Sequence, residues 1–451
     1  MTTFPLSVPQ QHMWEYLRFL NPADPGRTWM NQVLAYRVKG PFDVSRMERA
    51  LNTLAGRHDA LRITFTDLGP SPRLRITPEL TITLSPVDLT ALPADRREEA
   101  AVALAAEADT WSFDLVNGPL MHASVATVDE QDHLLVIALH HMVTDGWSGW
   151  LLRKELTALY SGRALPELPS GYREFATSPG RNPGESVAYW SRRLAGAPRS
   201  LDLPTDRPRE TMAGCDYAFH ALTIDPALAR AVVSLARRSR VSLYVVFLSA
   251  YQALLHRKTG RHDIVVGSIF AQRTDSTTTS LIGLFNNVVF FRTQVDPSAT
   301  FAELVTQVSR TTRDAYAHVG PFQEIARSLY PGFDAERPWP AQNLYHAWLQ
   351  FAVPPDVTRH PGDLELDWFR YDLPDPVSQP LSPAQHRLLA KENPSFELHA
   401  NGGGGLIQYN RHLFDEKTIA GLADDLMAIL AAATENPAIR IEDLPVALAG
   451  D

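Results

Sequence analysis

Two histidines, an aspartate and a glycine fall within one nine-residue string, His140-His141-Met142-Val143-Thr144-Asp145-Gly146-Trp147-Ser148. Histidine accepts a proton near neutral pH, its free pKa being about 6.5. A general base must also be held in one orientation, which a neighbouring carboxylate or backbone group can do. Asp145 follows His141 closely enough for a tight turn to bring it back beneath the ring. Gly146 permits backbone angles or a close approach that other residues forbid. The chemistry on offer is general-base catalysis. The plainer alternative makes the histidines edge-of-strand residues and Asp145 a helix N-cap.

Other reactive patterns are missing. Gly146-Trp147-Ser148-Gly149 is one residue short of a Gly-x-Ser-x-Gly elbow, and Ser148 reads as a helix-start serine. No phosphate-binding loop occurs, and Gly402 to Gly405 reads as a flexible hairpin loop. No His-x-x-x-His pair suggests a metal. His58, His220, His256, His318 and His412 read as structural, and the lone Cys215 as an inert thiol.

The string needs elements to hold it. Leu134 to Leu139 is an apolar run that reads as a buried strand, and Trp150 to Leu156 opens an amphipathic helix. The histidines therefore sit where a strand turns into a helix. Leu120 to Val128 and His133 to Leu139 form a hairpin around Asp129 to Asp132. Met30 to Val38 and Leu80 to Leu84 read as strands. Helices are expected from Leu6 to Leu20, from Val44 to Gly56 with Asp43 as cap, and from Ala94 to Ala108. Prolines and glycines thicken from Ala164 to Arg209, the best linker candidate, broken by a short helix over Ser186 to Leu194. A second α/β pattern comes next. Its helices start at Asp225-Pro226, at Ser242, at the capping box Thr300-Phe301-Ala302-Glu303, and over Leu422 to Ala432. Its strands are Asp263 to Gly267, Tyr345 to Phe351 and Leu406 to Tyr409.

The chain has 451 residues, enough for two domains. Its 42 basic and 51 acidic residues give a net charge of −9, which argues against nucleic-acid or anionic-membrane partners. A single cysteine excludes an internal disulfide and fits a reducing cytoplasm. The N-terminus has no signal-peptide pattern, and no apolar run reaches the roughly 18 residues of a bilayer span.

The string resembles the His-His-x-x-x-Asp-Gly core of nonribosomal peptide synthetase condensation domains. Leu6-Ser7-Val8-Pro9-Gln10-Gln11-His12-Met13-Trp14 resembles that family's opening motif, and Arg57 to Phe65 its second. Tyr172-Arg173-Glu174-Phe175-Ala176 is similar to the motif that closes the first half. Ile282-Gly283-Leu284-Phe285-Asn286-Asn287, with Arg292, and Pro321-Phe322-Gln323-Glu324 continue the series in order. The segment Glu336 to Leu344, which carries Asn343, departs from the family's Arg-Asp-x-Ser-Arg-Asn-Pro-Leu motif and points to an unusual, non-peptidyl acceptor.

The resemblance implies an α/β fold of two chloramphenicol-acetyltransferase-like subdomains in a V-shaped pseudo-dimer with a central tunnel. The expected division is 1–181 and 182–451. It implies His141 as the catalytic residue, supported by His140, Asp145, Gly146 and Arg62, with an Arg62–Asp145 ion pair. Trp147, Asn286, Asn287 and Asn343 become tunnel candidates. The reaction implied is acyl transfer from a carrier-bound thioester to a small-molecule amine or alcohol, giving an amide or an ester, as in hybrid and enediyne natural-product pathways. No bound cofactor or metal is expected, since phosphopantetheine arrives on a peptidyl carrier protein. With no adenylation or carrier segment in the sequence, a free-standing enzyme is expected. Two alternatives are an acyltransferase of the same superfamily that uses coenzyme A or a fatty-acyl carrier, and a non-catalytic docking protein.

Overall fold

The computed structural model describes residues 3–447 apart from 22, 29, 179–182, 199, 210–215, 274, 331–343, 353–363, 370–392 and 400–403. The first stretch of chain gives β1 (Phe4–Pro5), α1 (Val8–Leu20), β2 (Arg27–Thr28), β3 (Asn31–Lys39), α2 (Val44–Arg57), β4 (Ile63–Phe65), β5 (Arg73–Ile76) and β6 (Leu84–Asp88). Next come α3 (Ala94–Asp109), β7 (Phe113–Asp114), β8 (Met121–Asp129), β9 (Asp132–His140), α4 (Gly146–Tyr160), α5 (Tyr172–Thr177) and α6 (Pro183–Leu194). After these lie β10 (Tyr217–Thr223), α7 (Pro226–Arg238), α8 (Leu243–Thr259), β11 (Asp263–Phe270), the single turn α9 (Ser276–Thr279), β12 (Asn287–Gln294), α10 (Phe301–Ala317) and α11 (Phe322–Leu329). The last are β13 (Ala347–Ala352), β14 (Asp367–Trp368), β15 (Ser395–His399), β16 (Gly404–Asn410) and α12 (Glu416–Glu435).

The chain divides into two compact units, but not at a single point. The first comprises Met1–Pro179, Ala271–Asn286 and Pro355–Pro376; the second comprises Gly180–Phe270, Asn287–Pro354 and Val377–Asp451. The division expected at 181/182 is thus corrected by two later segments that belong to the first unit. Burial explains why. Leu281 and Phe285 pack into one core of the first unit and Ile282 into its other core. In addition, β14 pairs with β3, laying Trp368 over Tyr36.

The first unit is built on a five-stranded sheet in the order β14-β3-β9-β8-β6. Its centre explains the apolar run that precedes the histidines. Side chains alternate across a strand. Leu134, Val136 and Ala138 of β9 enter the core that includes residues of α1 and α3. Leu135, Ile137 and Leu139 enter the core shared with α2 and α4. A strand covered on both faces must be apolar at every position. Burying each such leucine or isoleucine contributes about 1.5–3 kcal/mol, so β9 is a stiff mount for the histidine turn.

The second unit carries a six-stranded sheet in the order β10-β16-β15-β13-β11-β12. Helix α8 is buried over almost its whole length and ends at Gly260, whose φ of 67° is the left-handed cap that glycine adopts without strain. Glycines 404 and 405 are not loop residues, as the sequence suggested, but the first residues of β16. A Cβ on Gly405 would lie 2.1 Å from the Glu397 carbonyl oxygen, so the strand requires glycine there. The capping box at Thr300 forms as expected. Leu80 to Leu84 is not a strand. The strand β6 begins at Leu84, and β5 is an element the sequence pattern does not reveal.

Candidate active site

The strand β9 ends at His140, and residues 141–143 form one 3-10 turn before α4. The turn is pinned on several sides. The His141 N–H donates to the Met30 carbonyl at 2.7 Å. Gln10 Nε2 donates to the Met142 carbonyl at 2.9 Å, and Thr144 Oγ1 donates to Gln32 Oε1 at 2.6 Å. Gln10 is itself fixed by the capping box of α1, in which Ser7 is the cap. The opening motif therefore works as a strut for the histidine turn.

The two histidines are held in opposite tautomers. His141 Nδ1 lies 2.9 Å from the Thr144 carbonyl oxygen. A carbonyl only accepts, so Nδ1 carries the proton and the neutral ring presents its lone pair at Nε2. His141 is partly exposed, so that nitrogen belongs to a reachable ring. In His140 the arrangement is reversed, with Nδ1 accepting from the Met142 N–H at 3.1 Å. The His140 ring is fully buried and meets Phe113 edge-on. Burial, reinforced by the neighbouring His141, pushes its pKa down to about 3. His140 is therefore a neutral support, and His141 is the ring whose Nε2 is left as an acceptor.

The low pKa of His140 has a consequence for stability. Unfolded, this histidine binds a proton near pH 6.5; folded, it does so only near pH 3. Between those values the unfolded chain holds the extra proton, so stability falls as pH is lowered through that window. The expected slope from this one residue is up to about 1.4 kcal/mol per pH unit. Urea unfolding of a His140→Asn variant between pH 4 and 6.5 should show that share of the slope removed.

Asp145 caps α4, its Oδ1 accepting from the Ser148 N–H at 2.8 Å. It does more than cap. The carboxylate is completely buried and lies 2.9 and 3.1 Å from Arg273 Nη2. Its Oδ2 also accepts from the Phe285 N–H at 3.1 Å. The Arg273 side chain is 2% exposed. Burial pushes its pKa down and the Asp145 carboxylate pushes it back up. The same guanidinium donates to the Thr278 and Leu281 carbonyls and stands 4.0 Å over the Phe285 ring.

The expected Arg62–Asp145 pair does not form. Arg62 follows α2, and its guanidinium donates to the carbonyls of Ala55 and Gly56, at the end of that helix, and of Thr77 and Pro78. A cation is favoured at the carbonyl end of a helix. Its donors are thereby committed to backbone oxygens, and Asp145 takes Arg273 instead.

The segment 271–286 is stitched to the histidine turn by several further bonds. Ser148 Oγ accepts from the Gly283 N–H at 3.0 Å and lies 2.7 Å from Asp145 Oδ1. That hydroxyl is buried and engaged, which rules against Ser148 as a nucleophile. Tyr172 donates its hydroxyl to the Leu284 carbonyl at 2.7 Å. The Trp147 indole donates to the Thr279 carbonyl at 3.0 Å, so Trp147 anchors this segment. His58 bonds Glu155 of α4 at 2.8 Å through Nε2 and accepts from the Ile282 N–H at 3.3 Å through Nδ1, the structural role expected of it. A Cβ on Gly283 would sit 2.2 Å from the Tyr172 ring. Gly283→Ala should therefore destabilise the fold by about 1–3 kcal/mol, read as a lowered urea midpoint.

The remaining sequence candidates separate. Asn286 is partly buried in the first unit, whereas Asn287 begins β12 in the second and is 2% exposed. The Asn287 side chain donates to the Gly320 carbonyl at 3.2 Å and accepts from the Val288 N–H. Asn287 is thus a structural asparagine. Asn343 and Cys215 lie outside the described residues. A Cβ at Gly146 would meet nothing within 4 Å, so open space borders the turn there. Among the described residues no group of three or more metal-ligating side chains occurs, and no helix is long and apolar enough to cross a membrane.

The turn thus carries one partly exposed histidine whose Nε2 is left as an acceptor, on a mixed α/β scaffold. The condensation-domain family model matches residues 1–337. This chain belongs to that family, whose members serve nonribosomal peptide and other natural-product biosynthesis on carrier-bound thioesters. One of the linear gramicidin synthase proteins of Brevibacillus parabrevis is 32% identical over 457 residues, covering 98% of this chain and 9% of that protein. Phosphinothricin tripeptide synthetase PhsC of Streptomyces viridochromogenes is 32% identical over 460 residues, covering 98% of this chain and 40% of that protein. The chain thus spans less than half the length of these relatives. The crystal structure of SgcC5 from Streptomyces globisporus matches with a TM-score of 0.72 at 25% identity, over 97% of this chain and 100% of that one.

Proposed function

We propose that this protein joins an acyl or aminoacyl group, delivered as a thioester on a carrier protein, to a small-molecule amine or alcohol. His141 is the catalytic residue in this reading. The single observation that carries it is the 2.9 Å contact of His141 Nδ1 with the Thr144 carbonyl, which leaves Nε2 as the acceptor. An acceptor hydroxyl gives its proton to Nε2 as its oxygen attacks the thioester carbonyl. The C–O bond forms, the C–S bond breaks, and the proton passes from Nε2 to the leaving sulfur. A neutral amine attacks without prior proton loss and surrenders its proton to Nε2 afterwards. Phosphopantetheine belongs to the partner in this scheme, and no cofactor or metal of the protein's own takes part.

Two observations support a small-molecule acceptor. SgcC5, whose whole length is matched, is described in complex with a naphthyl-substituted ethanediol, a small alcohol. The segment around Asn343 departs from the motif expected of peptidyl condensation.

The test is a donor comparison. The purified protein is incubated with an aminoacyl-loaded carrier, and separately with the matching acyl-coenzyme A, each with a matched amine and alcohol. Product from the carrier thioester only is expected. Turnover with acyl-coenzyme A and none with the carrier would replace this reading with the superfamily acyltransferase. Gly146→Val should lower kcat/KM in this assay with its melting temperature unchanged, because the added side chain enters open space beside the turn.

A further inference from the structure

The second unit contains a basic cavity that the proposed reaction does not use. Its volume is about 530 Å³, and Tyr189, Arg192, Arg193, Arg292 and Gln294 line it. Tyr189 and the two adjacent arginines lie on the last turns of α6; Arg292 and Gln294 lie on β12. Arg292 is paired with Asp263, so among the described residues Arg192 and Arg193 carry the cavity's unpaired positive charge in a chain of net charge −9.

Part of the lining is held in place by the protein's own contacts. Arg292 is gripped by Asp263 at 2.9 and 2.6 Å, and its Nη1 donates to the Arg193 and Ala195 carbonyls at the end of α6. Arg193 Nη2 donates to the Arg292 carbonyl at 2.6 Å. Tyr189 is stacked on His318 with ring centres 3.8 Å apart. Asp263 is spent on Arg292, and Asp314 opposes the effect of Arg193 on the Tyr189 hydroxyl. Among the described residues no carboxylate pairs with Arg192 or Arg193, so both charges are available.

We propose that this cavity binds a phosphate ester of a small organic molecule. Guanidinium groups recognise phosphate oxygens with directed, charge-assisted hydrogen bonds. Two unpaired guanidinium groups, Arg192 and Arg193, suit the several oxygens of a tetrahedral anion better than a planar carboxylate, which one fork satisfies. The volume falls in the range of small-molecule sites and exceeds what a bare phosphate fills. The Tyr189 hydroxyl can meet a hydroxyl group of the organic part.

Isothermal titration of the whole protein at low salt, with glucose 1-phosphate, glucose and inorganic phosphate as probes, tests this. Glucose 1-phosphate is expected to bind more tightly than inorganic phosphate, glucose is expected not to bind, and affinity should fall as salt is added. Arg192→Gln combined with Arg193→Gln should weaken the ester at least tenfold; glutamine at 193 keeps an N–H for the Arg292 carbonyl. Arg192→Gln alone, which leaves that link intact, should weaken it in the same direction. Binding that is unchanged in these variants, equal for ester and glucose, no tighter for the ester than for phosphate, or absent for all three probes would overturn the proposal.

Discussion

Replacing His141 with alanine is expected to lower kcat for an alcohol acceptor by about 10²–10⁴-fold, the range a positioned general base supplies. The loss should be smaller for an amine, which attacks a thioester without first losing a proton. Stability should scarcely change. The ring is partly exposed and is tied through Nδ1 to the Thr144 carbonyl. The turn itself stays held by backbone and glutamine contacts that alanine keeps. Steady-state rates with a matched amine and alcohol, alongside thermal unfolding, separate the effect on chemistry from any effect on folding. His140 differs in this respect. Its ring is fully buried, so its replacement should register in stability.

Replacing Asp145 with alanine should instead damage the fold. The carboxylate accepts from Ser148, Arg273 and Phe285, and none of it is exposed. Removing it strands a guanidinium that is 2% exposed. Breaking a buried pair from one side costs about 3–5 kcal/mol. For a unit of this size that is a drop in melting temperature on the order of 10 °C. Arg273→Met should cost a similar amount, and the two changes together less than their sum, because the second removes the charge the first left unpaired. Arg62→Met should show no such coupling with Asp145, since its donors serve backbone carbonyls. A urea-unfolding double-mutant cycle over Asp145, Arg273 and Arg62 distinguishes the pair observed from the pair the sequence suggested. Acyl transfer should fall in Asp145→Ala as the turn loosens, but as a result of lost stability.

Local chemistry made much of this site legible in the sequence. The apolar run before the histidines, the Asp145 cap and the Thr300 capping box each act over a few residues, and each reads directly from spacing. The family motifs marked segments that converge on the turn, through Gln10, His58, Tyr172 and Gly283. Pairing across distance did not read. Asp145 needed a buried cation, but nothing in the spacing ranks Arg273 above Arg62. The choice is made by the insertion of 271–286, whose apolar residues fill cores of the first unit. The contiguous division at 181/182 failed for the same reason, since a break in composition cannot show that later segments return. Asn287 looked like a site residue in a motif, yet its amide is spent on the Gly320 carbonyl and on its own neighbour's N–H. The glycines at 404 and 405 looked like a loop because their requirement, close approach of adjacent strands, is invisible without the partner strands.

The central claim is that His141 Nε2 takes the acceptor's proton during transfer from a carrier thioester. Single-turnover intact-protein mass spectrometry tests it most directly, following an aminoacyl-loaded carrier with an alcohol acceptor, with the native protein and with His141→Ala. The account predicts that the carrier loses its acyl mass as the ester appears with the native protein, and that both events slow by at least about 10²-fold in the variant. Equal unloading and equal ester formation in the two proteins would contradict it.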